Sequence, residues 1–259
     1  DHTEPDHSGS LGLLLKLAPS ATVVGSGNAI RYLEDILNVP FKSLVVKEGD
    51  TLDLGNKTLK FISAPNLHWP DSIYTLLLED RVLFTCDSFG AHYCSSEMFS
   101  EFDDKYAETF KYYFDVIMKP FSRFMQRAVE RIRPLEIDFI CPGHGPIHHQ
   151  NFKTALDLSE QYSNDYLKLT FGGDHYNILI ACVSAYGYTL EAAEIIAAGI
   201  RENREIKVEI IDIENISSDD LESKLITAEG ILIGSPTINQ NTLLPVYKLF
   251  ALINPLRDK

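Results

Sequence analysis

Polar and apolar positions change period several times along this chain. Residues 1–9, DHTEPDHSG, carry a proline and a glycine but no large apolar side chain, which predicts a loop. Leu11 to Leu17 is leucine-rich and predicts a helix, and Thr22 to Val24 a short strand. From Gly27 to Leu37 the apolar residues recur at Ile30, Leu33, Ile36 and Leu37, the spacing of one helix face. Ser43 to Ser63 turns to a strand pattern, with Gly55-Asn56 as the turn between TLDL and TLKFIS. Asp71 to Glu79 and Val82 to Thr85 predict a hairpin joined at Asp80-Arg81. An aromatic-rich helical region follows from Ser96 to Arg133, broken or kinked at Pro120. Phe139 to Cys141 predicts a strand ending in PGHGP, Phe152 to Leu169 a helix, and Gly172-Gly173 a linker.

After the linker, strands and helices alternate. Strands are expected at Asn177–Val183, Lys207–Ile213 and Gly230–Ile233, and helices at Leu190–Arg201, Ser217–Ala228 and Leu243–Ile253. Such alternation predicts a doubly wound parallel sheet. Two domains are expected, residues 1–172 and 173–259.

Composition narrows the function classes. The chain has 259 residues, 45% of them hydrophobic, enough for one large or two ordinary domains. No apolar run approaches the ~18 residues of a membrane span, and the opening is charged rather than signal-like. A net charge of −14 makes the chain a poor ligand for nucleic acid or an anionic membrane. Cys86, Cys94, Cys141 and Cys182 form no C-x-x-C pair, so a zinc ribbon or thioredoxin-like motif is absent; reduced thiols in a cytoplasm are expected.

The candidate chemistry begins at once. His2, Glu4 and Asp6 alternate, which in an extended loop aims them to one side, and His7 adds a fourth donor. His68, Asp87 and His144 are polar residues placed where apolar strands end, His144 between glycines that let backbone approach closely. Imidazoles with several carboxylates suit Fe, Mn or Zn, and the lack of thiolate argues against an iron–sulfur cluster. Seven donors exceed one closed zinc site and fit two metals. His148, His149 and His175 match no ligand position and are expected to be exposed or to lie behind the ligands; Trp69 and Tyr93 are expected to pack.

The order and spacing resemble the metallo-β-lactamase superfamily, whose hydrolases usually carry H-x-H-x-D-H. Glu4 stands at the second of those positions, and with the context EPDHSG the chain resembles flavodiiron proteins. The resemblance implies a metallo-β-lactamase-like αβ/βα sandwich followed by an incomplete flavodoxin-like doubly wound sheet. It implies two non-haem irons, one on His2, Glu4 and His68, the other on Asp6, His7 and His144, with Asp87 bridging.

The second half adds a flavin signal. Ser184, Tyr186, Gly187 and Thr189 lie between an apolar strand and a helix, where hydroxyls, backbone N–H groups and a helix N-terminus converge on a phosphate. A second loop holds Ser235, Pro236, Thr237 and Asn239, and resembles the flavin-ring loop of flavodiiron proteins. By the resemblance the cofactors are di-iron and FMN, the substrates O2 and/or NO, the donor a rubredoxin or a flavin reductase, and the assembly a head-to-tail homodimer. Three strands appear where a flavodoxin domain needs about five, and the metallo-β-lactamase fold places strands before the opening motif. A piece lacking both is expected, one that folds poorly alone. The alternatives are a binuclear zinc hydrolase of the same superfamily and an electron carrier without catalysis.

Overall fold

A computed structural model describes residues 1–171, 176–203 and 205–253, so the expected Gly172-Gly173 linker and His175 lie outside the described residues. Contacts divide the chain into Asp1–Asn164 and Asp165–Lys259.

The first unit opens with a one-turn helix α1 (Pro5–Ser8), then α2 (Leu11–Leu17), β1 (Thr22–Gly25), α3 (Gly27–Leu37) and β2 (Lys42–Val45). The helical turn at Pro5 corrects the all-loop expectation for residues 1–9: proline has no N–H to lose at a first helical position and its φ is already helical. Strands β1 and β2 pair in parallel, with α3 as their crossover. The Ser26 hydroxyl caps α3 by accepting from the Ala29 N–H, and Asn38 ends it in the left-handed conformation.

The main sheet has the order β3 (Thr51–Asp53), β4 (Thr58–Ser63), β5 (Ile73–Leu77), β6 (Val82–Cys86), β7 (Phe139–Pro142). It is antiparallel as far as β6, and β6 pairs with β7 in parallel. The long connection between them holds α4 (Asp104–Tyr113), a π-helical turn at Phe114–Met118, a 3-10 turn at Lys119–Phe121 containing Pro120, and α5 (Ser122–Ile132). Helix begins at Asp104, not at Ser96 as the sequence suggested. The backbone of 98–100 instead bonds a distant loop, Ser100 N–H to Ile147 C=O at 2.9 Å and Ile147 N–H to Met98 C=O at 2.9 Å. Asp103 then caps α4 through the Tyr106 N–H at 2.7 Å. Asp103→Ala is expected to cost about 1 kcal/mol, read as a lower melting temperature.

On α5, Met125, Ala128, Val129 and Ile132 follow the spacing of one helix face, and all are buried. They share a single core with Leu76 and Leu83 of the sheet, Ile140 of β7, and Phe110 and Phe114. Helix α6 (Phe152–Phe171) follows β7 and adds Ala155 and Leu156 to that core.

The second unit runs β8 (Tyr176–Cys182), α7 (Tyr188–Ile200), β9 (Ile206–Asp212), α8 (Ser218–Thr227), β10 (Gly230–Gly234), α9 (Leu244–Leu252). Its sheet order is β9-β8-β10, all parallel, so the first strand sits in the middle. Both faces of β8 are covered, which is why its sequence is continuously apolar. Leu179 and Ala181 join Leu221 and Leu225 of α8 and Val246 and Leu249 of α9. Ile180 and Cys182 join Ala193 and Ala197 of α7.

Candidate metal centre

Strand topology gathers the candidate donors. Because β6 and β7 are parallel, the residues that follow each of them, Asp87 and His144, emerge at the same sheet edge. The register shifts between Phe84 and Cys86, and Cys86 sits at φ +51°. That bulge cancels the usual alternation, so Cys86 and Asp87 both reach one cluster with His2 and His7. His68 lies in the loop after β4. The opening segment is tied beside it: the Thr3 N–H donates to Asp71 Oδ2 at 2.8 Å and the Ser8 hydroxyl to Thr3 C=O at 2.8 Å.

All seven predicted metal residues come together, as two triads around Asp87. His2 Nε2 and His68 Nε2 lie 3.3 and 2.8 Å from Asp87 Oδ2, and 3.3 and 3.1 Å from Glu4 Oε2. His7 Nε2 and His144 Nε2 lie 2.9 and 3.3 Å from Asp87 Oδ1. Asp6 offers Oδ1 to His7 at 3.6 Å and Oδ2 to His144 at 3.1 Å. The grouping is therefore His2, Glu4 and His68 on one carboxylate oxygen, and Asp6, His7 and His144 on the other. The positions are not reached by simple alternation along 2, 4 and 6. The helical turn of α1 rotates Asp6 and His7 away from His2 and Glu4, toward the second group.

The donor set fits metal ions. The Ser72 hydroxyl donates to Leu67 C=O at 2.7 Å, so its oxygen accepts from His2 Nδ1–H at 3.1 Å. That assigns the His2 tautomer and leaves Nε2 with a bare lone pair facing carboxylate oxygens. His2 Nε2, His7 Nε2 and Asp87 Oδ1 are buried without a hydrogen-bond partner, an arrangement that calls for positive charge between them. Burial opposes ionisation of Asp87, but the surrounding imidazoles of His2, His68 and His7 outweigh it and hold the carboxyl well below its usual range. Burial lowers the His68 pKa, and Asp87 and Glu4 reverse this and raise it. Burial pushes the Cys86 thiol up to about 11, so it stays protonated at neutral pH beside the cluster.

Two glycines flank His144 for distinct reasons. A Cβ at Gly143 would lie 2.9 Å from the His7 ring and 3.3 Å from Asp87 Oδ1, and Gly145 sits at φ +84° with Ala91 C=O where a side chain would stand. Trp69 stacks on His2 at 5.8 Å. Tyr93 packs on Tyr106 at 5.3 Å. His149 stacks on Phe139 at 4.3 Å. His148 departs from the exposed alternative: it is fully buried, because Phe102, Tyr106 and Phe110 surround its ring. Sequence reasoning missed Ser72, Asp71 and Cys86. Their one local signal is adjacency, Asp71-Ser72 closing the HWPDS run after His68 and Cys86 preceding Asp87.

In the second unit the two predicted flavin loops follow β8 and β10, adjacent parallel strands, and so open at one edge. Val183 N–H donates to Gly234 C=O at 3.0 Å, joining them. Gly187 takes φ +87° at the N-terminus of α7, and the Ser184 hydroxyl accepts from the Leu190 N–H at 3.3 Å, so Ser184 and Thr189 flank that terminus. Tyr186 is exposed. The Ser235 hydroxyl donates to Pro236 C=O at 3.0 Å and accepts from the Leu243 N–H at 3.2 Å, which shapes the loop carrying Thr237; Asn239 sits at φ +52° in the turn.

The model of the ODP family beta lactamase matches residues 1–145. The flavo-diiron protein FprA2 of Clostridium acetobutylicum is 38% identical across 100% of this chain and 66% of its own length. The type A flavoprotein fprA of Rhodobacter capsulatus is 35% identical across 98% and 59%. The chain thus spans less than two thirds of these relatives. Among solved structures, the metal-soaked Flv1 flavodiiron core from Synechocystis superposes with a TM-score of 0.63 at 28% identity, covering 97% of this chain and 62% of that one. Rubredoxin oxygen:oxidoreductase from Desulfovibrio gigas gives 0.62 at 25% identity, covering 100% and 64%. A metallo-β-lactamase-like unit with two donor triads on one aspartate, followed by a parallel sheet with its first strand central, has these relatives for a reason: the chain belongs to the flavodiiron protein family.

Proposed function

We propose that the chain is the catalytic part of an oxidoreductase that reduces O2 to water, NO to N2O and water, or both. The observation that carries this reading is the pairing of each Asp87 oxygen with its own triad. His2, Glu4 and His68 would hold one iron, Asp6, His7 and His144 the other, and Asp87 both. Two ferrous ions held there would together supply two electrons, enough with two protons to couple two NO into N2O and water, and half of the four electrons that O2 needs to become two waters, the other two coming from a reduced flavin. The chain's own part is to fix the donors. Ser72 sets the His2 tautomer, and the bared nitrogens and oxygens face inward. Asp6 and His144, the more exposed donors, leave that side open to a small gas.

The loops at Ser184–Thr189 and Ser235–Asn239 support an FMN site, with the phosphate at the α7 N-terminus and the ring against Pro236, Thr237 and Asn239. The name of the Desulfovibrio relative contains both rubredoxin and oxygen. By extension, a rubredoxin or flavin reductase would deliver electrons to this chain, in a cytoplasmic head-to-tail homodimer. Among the described residues no helix is long and apolar enough to cross a membrane.

The test is iron and flavin quantitation on the full chain, followed by anaerobic mixing of the reduced protein with each gas. Two irons per chain and consumption of O2 or NO above that of free flavin are expected. Zinc occupancy with thioester or lactam hydrolysis would establish the hydrolase instead, and no gas consumption would leave an electron carrier.

A further inference from the structure

His148 is not among the seven candidate ligands, yet it is fully buried with both ring nitrogens engaged. Nε2 lies 2.7 Å from Phe89 C=O, which can only accept, so Nε2 carries the hydrogen. Nδ1 is then an acceptor for the Ser100 hydroxyl at 2.9 Å. Asn151 completes the network through its Nδ2, which donates to Ser100 C=O at 2.7 Å and to Ser100 Oγ at 3.0 Å. Stacking against Phe102 at 5.4 Å and edge contact with Phe110 at 6.0 Å fix the ring plane.

The acceptor, Phe89, is two residues beyond Asp87 and sits at φ +65°, the left-handed region that a bulky side chain avoids. Such a conformation persists only where its surroundings over-determine it. Here they do. The Thr85 hydroxyl donates to Ser88 C=O at 2.9 Å, His148 to Phe89 C=O at 2.7 Å, and the Gly90 N–H to Asp87 C=O at 3.2 Å. The same segment continues to Ala91, whose N–H donates to His144 C=O at 3.2 Å. The backbone of His148 itself exchanges two bonds with Ile140 of β7, each 2.9 Å. His148 therefore joins, through one buried ring, the loop that presents Asp87 to the loop that presents His144.

We infer that His148 is a positioning residue for the di-metal centre: its Nε2–H, oriented by Ser100 and Asn151, holds the Phe89 carbonyl so that the Asp87 carboxylate straddles both triads. The inference rests on the di-metal reading above. A buried ring outside the donor clusters would act as groups that orient metal ligands do, through affinity and geometry of the bound ion rather than through chemistry of its own.

The test loads the full chain with cobalt(II) in place of iron. It follows ions bound per chain, affinity, and the visible absorption that reports cobalt geometry, with a melting curve for each variant. His148→Phe keeps an aromatic ring among Phe102, Tyr106 and Phe110 but donates nothing to Phe89. His148→Gln places an amide N–H where Nε2–H stood. The expected result is a folded His148→Phe chain whose cobalt affinity falls by about 10- to 100-fold, with an altered spectrum, and a His148→Gln chain restored to nearly wild-type binding and spectrum. Wild-type affinity and spectrum in a folded His148→Phe chain would overturn the inference. So would a folded His148→Gln chain as impaired as His148→Phe, since packing alone would then explain both. If His148→Phe does not fold, His148→Gln decides: wild-type cobalt binding supports the clamp, and impaired binding rejects it. A wild-type chain that takes up fewer than two cobalt ions fails the di-metal reading instead, and that is seen before any variant is compared.

Discussion

Replacing Asp87 with alanine is expected to empty both halves of the metal centre at once. Its two oxygens face different triads, and among the described residues no other single side chain touches both groups through separate atoms. The change removes the one deeply buried carboxylate among the seven donors and leaves four imidazoles with only Glu4 and Asp6, both more exposed. Metal content is expected to drop from two ions per chain to fewer than one. Gas reduction should fall by at least about a thousandfold, since the bound ions supply several kcal/mol. Glu4→Ala is the contrast. Glu4 faces only His2 and His68, so one ion is lost and the other kept. Metal analysis of the two variants checks this, and equal losses would mean that Asp87 is not shared.

The second large effect is on stability against pH. Burial pushes His148 down to about 4, while its hydrogen bond to Phe89 opposes that only in part. An unfolded histidine titrates near 6.5. The folded pKa is depressed, so the stability held by the neutral ring is complete above about pH 6.5. As pH falls from there toward about 4, the unfolded chain takes up a proton that the native chain refuses. The loss reaches about 3 kcal/mol, at roughly 1.4 kcal/mol per pKa unit. Urea melts of the metal-free chain between pH 7 and pH 4 test this against His148→Gln, which has no proton to gain there. Carboxylate titration is common to both chains and cancels. Parallel stability curves would show that the native ring protonates freely.

Much of this was readable in the sequence, for identifiable reasons. The face of α3 and the continuous apolar run of β8 are local signals, and the elements formed where those signals lie. The candidate donors were readable because four of them fall within six residues and the others stand where strands stop. Other features depended on distant partners. Residues 98–100 resemble a helix start, with Ser96 and Asp103 equally good as caps, but bonds to Ile147 claim the backbone there. Burial of His148 depends on Phe89 and Ser100, 59 and 48 positions away. The reach of Cys86 into the cluster depends on a bulge that no residue type announces. Pro5 marks a loop or a helix start equally well, so the turn that separates the two triads was hidden in the motif that named them.

The parallel pairing of β6 with β7 also governs how this protein tolerates divergence. The spacing between Asp87 and His144 is set by the register of Phe84 against Cys141 and of Cys86 against Pro142, at the ends of two hydrogen-bonded neighbours. Contacts of Phe89, Ala91 and Ser100 with the loop after β7 hold it as well, but it does not depend on the path the chain takes from α4 to α5. That stretch, with its π-helical turn and its proline, is therefore free to gain or lose residues over evolutionary time as long as it still covers the core and the His148 ring. The spacing of these two donors is inherited from the sheet, and the helices above it are where descendants of this chain have room to differ.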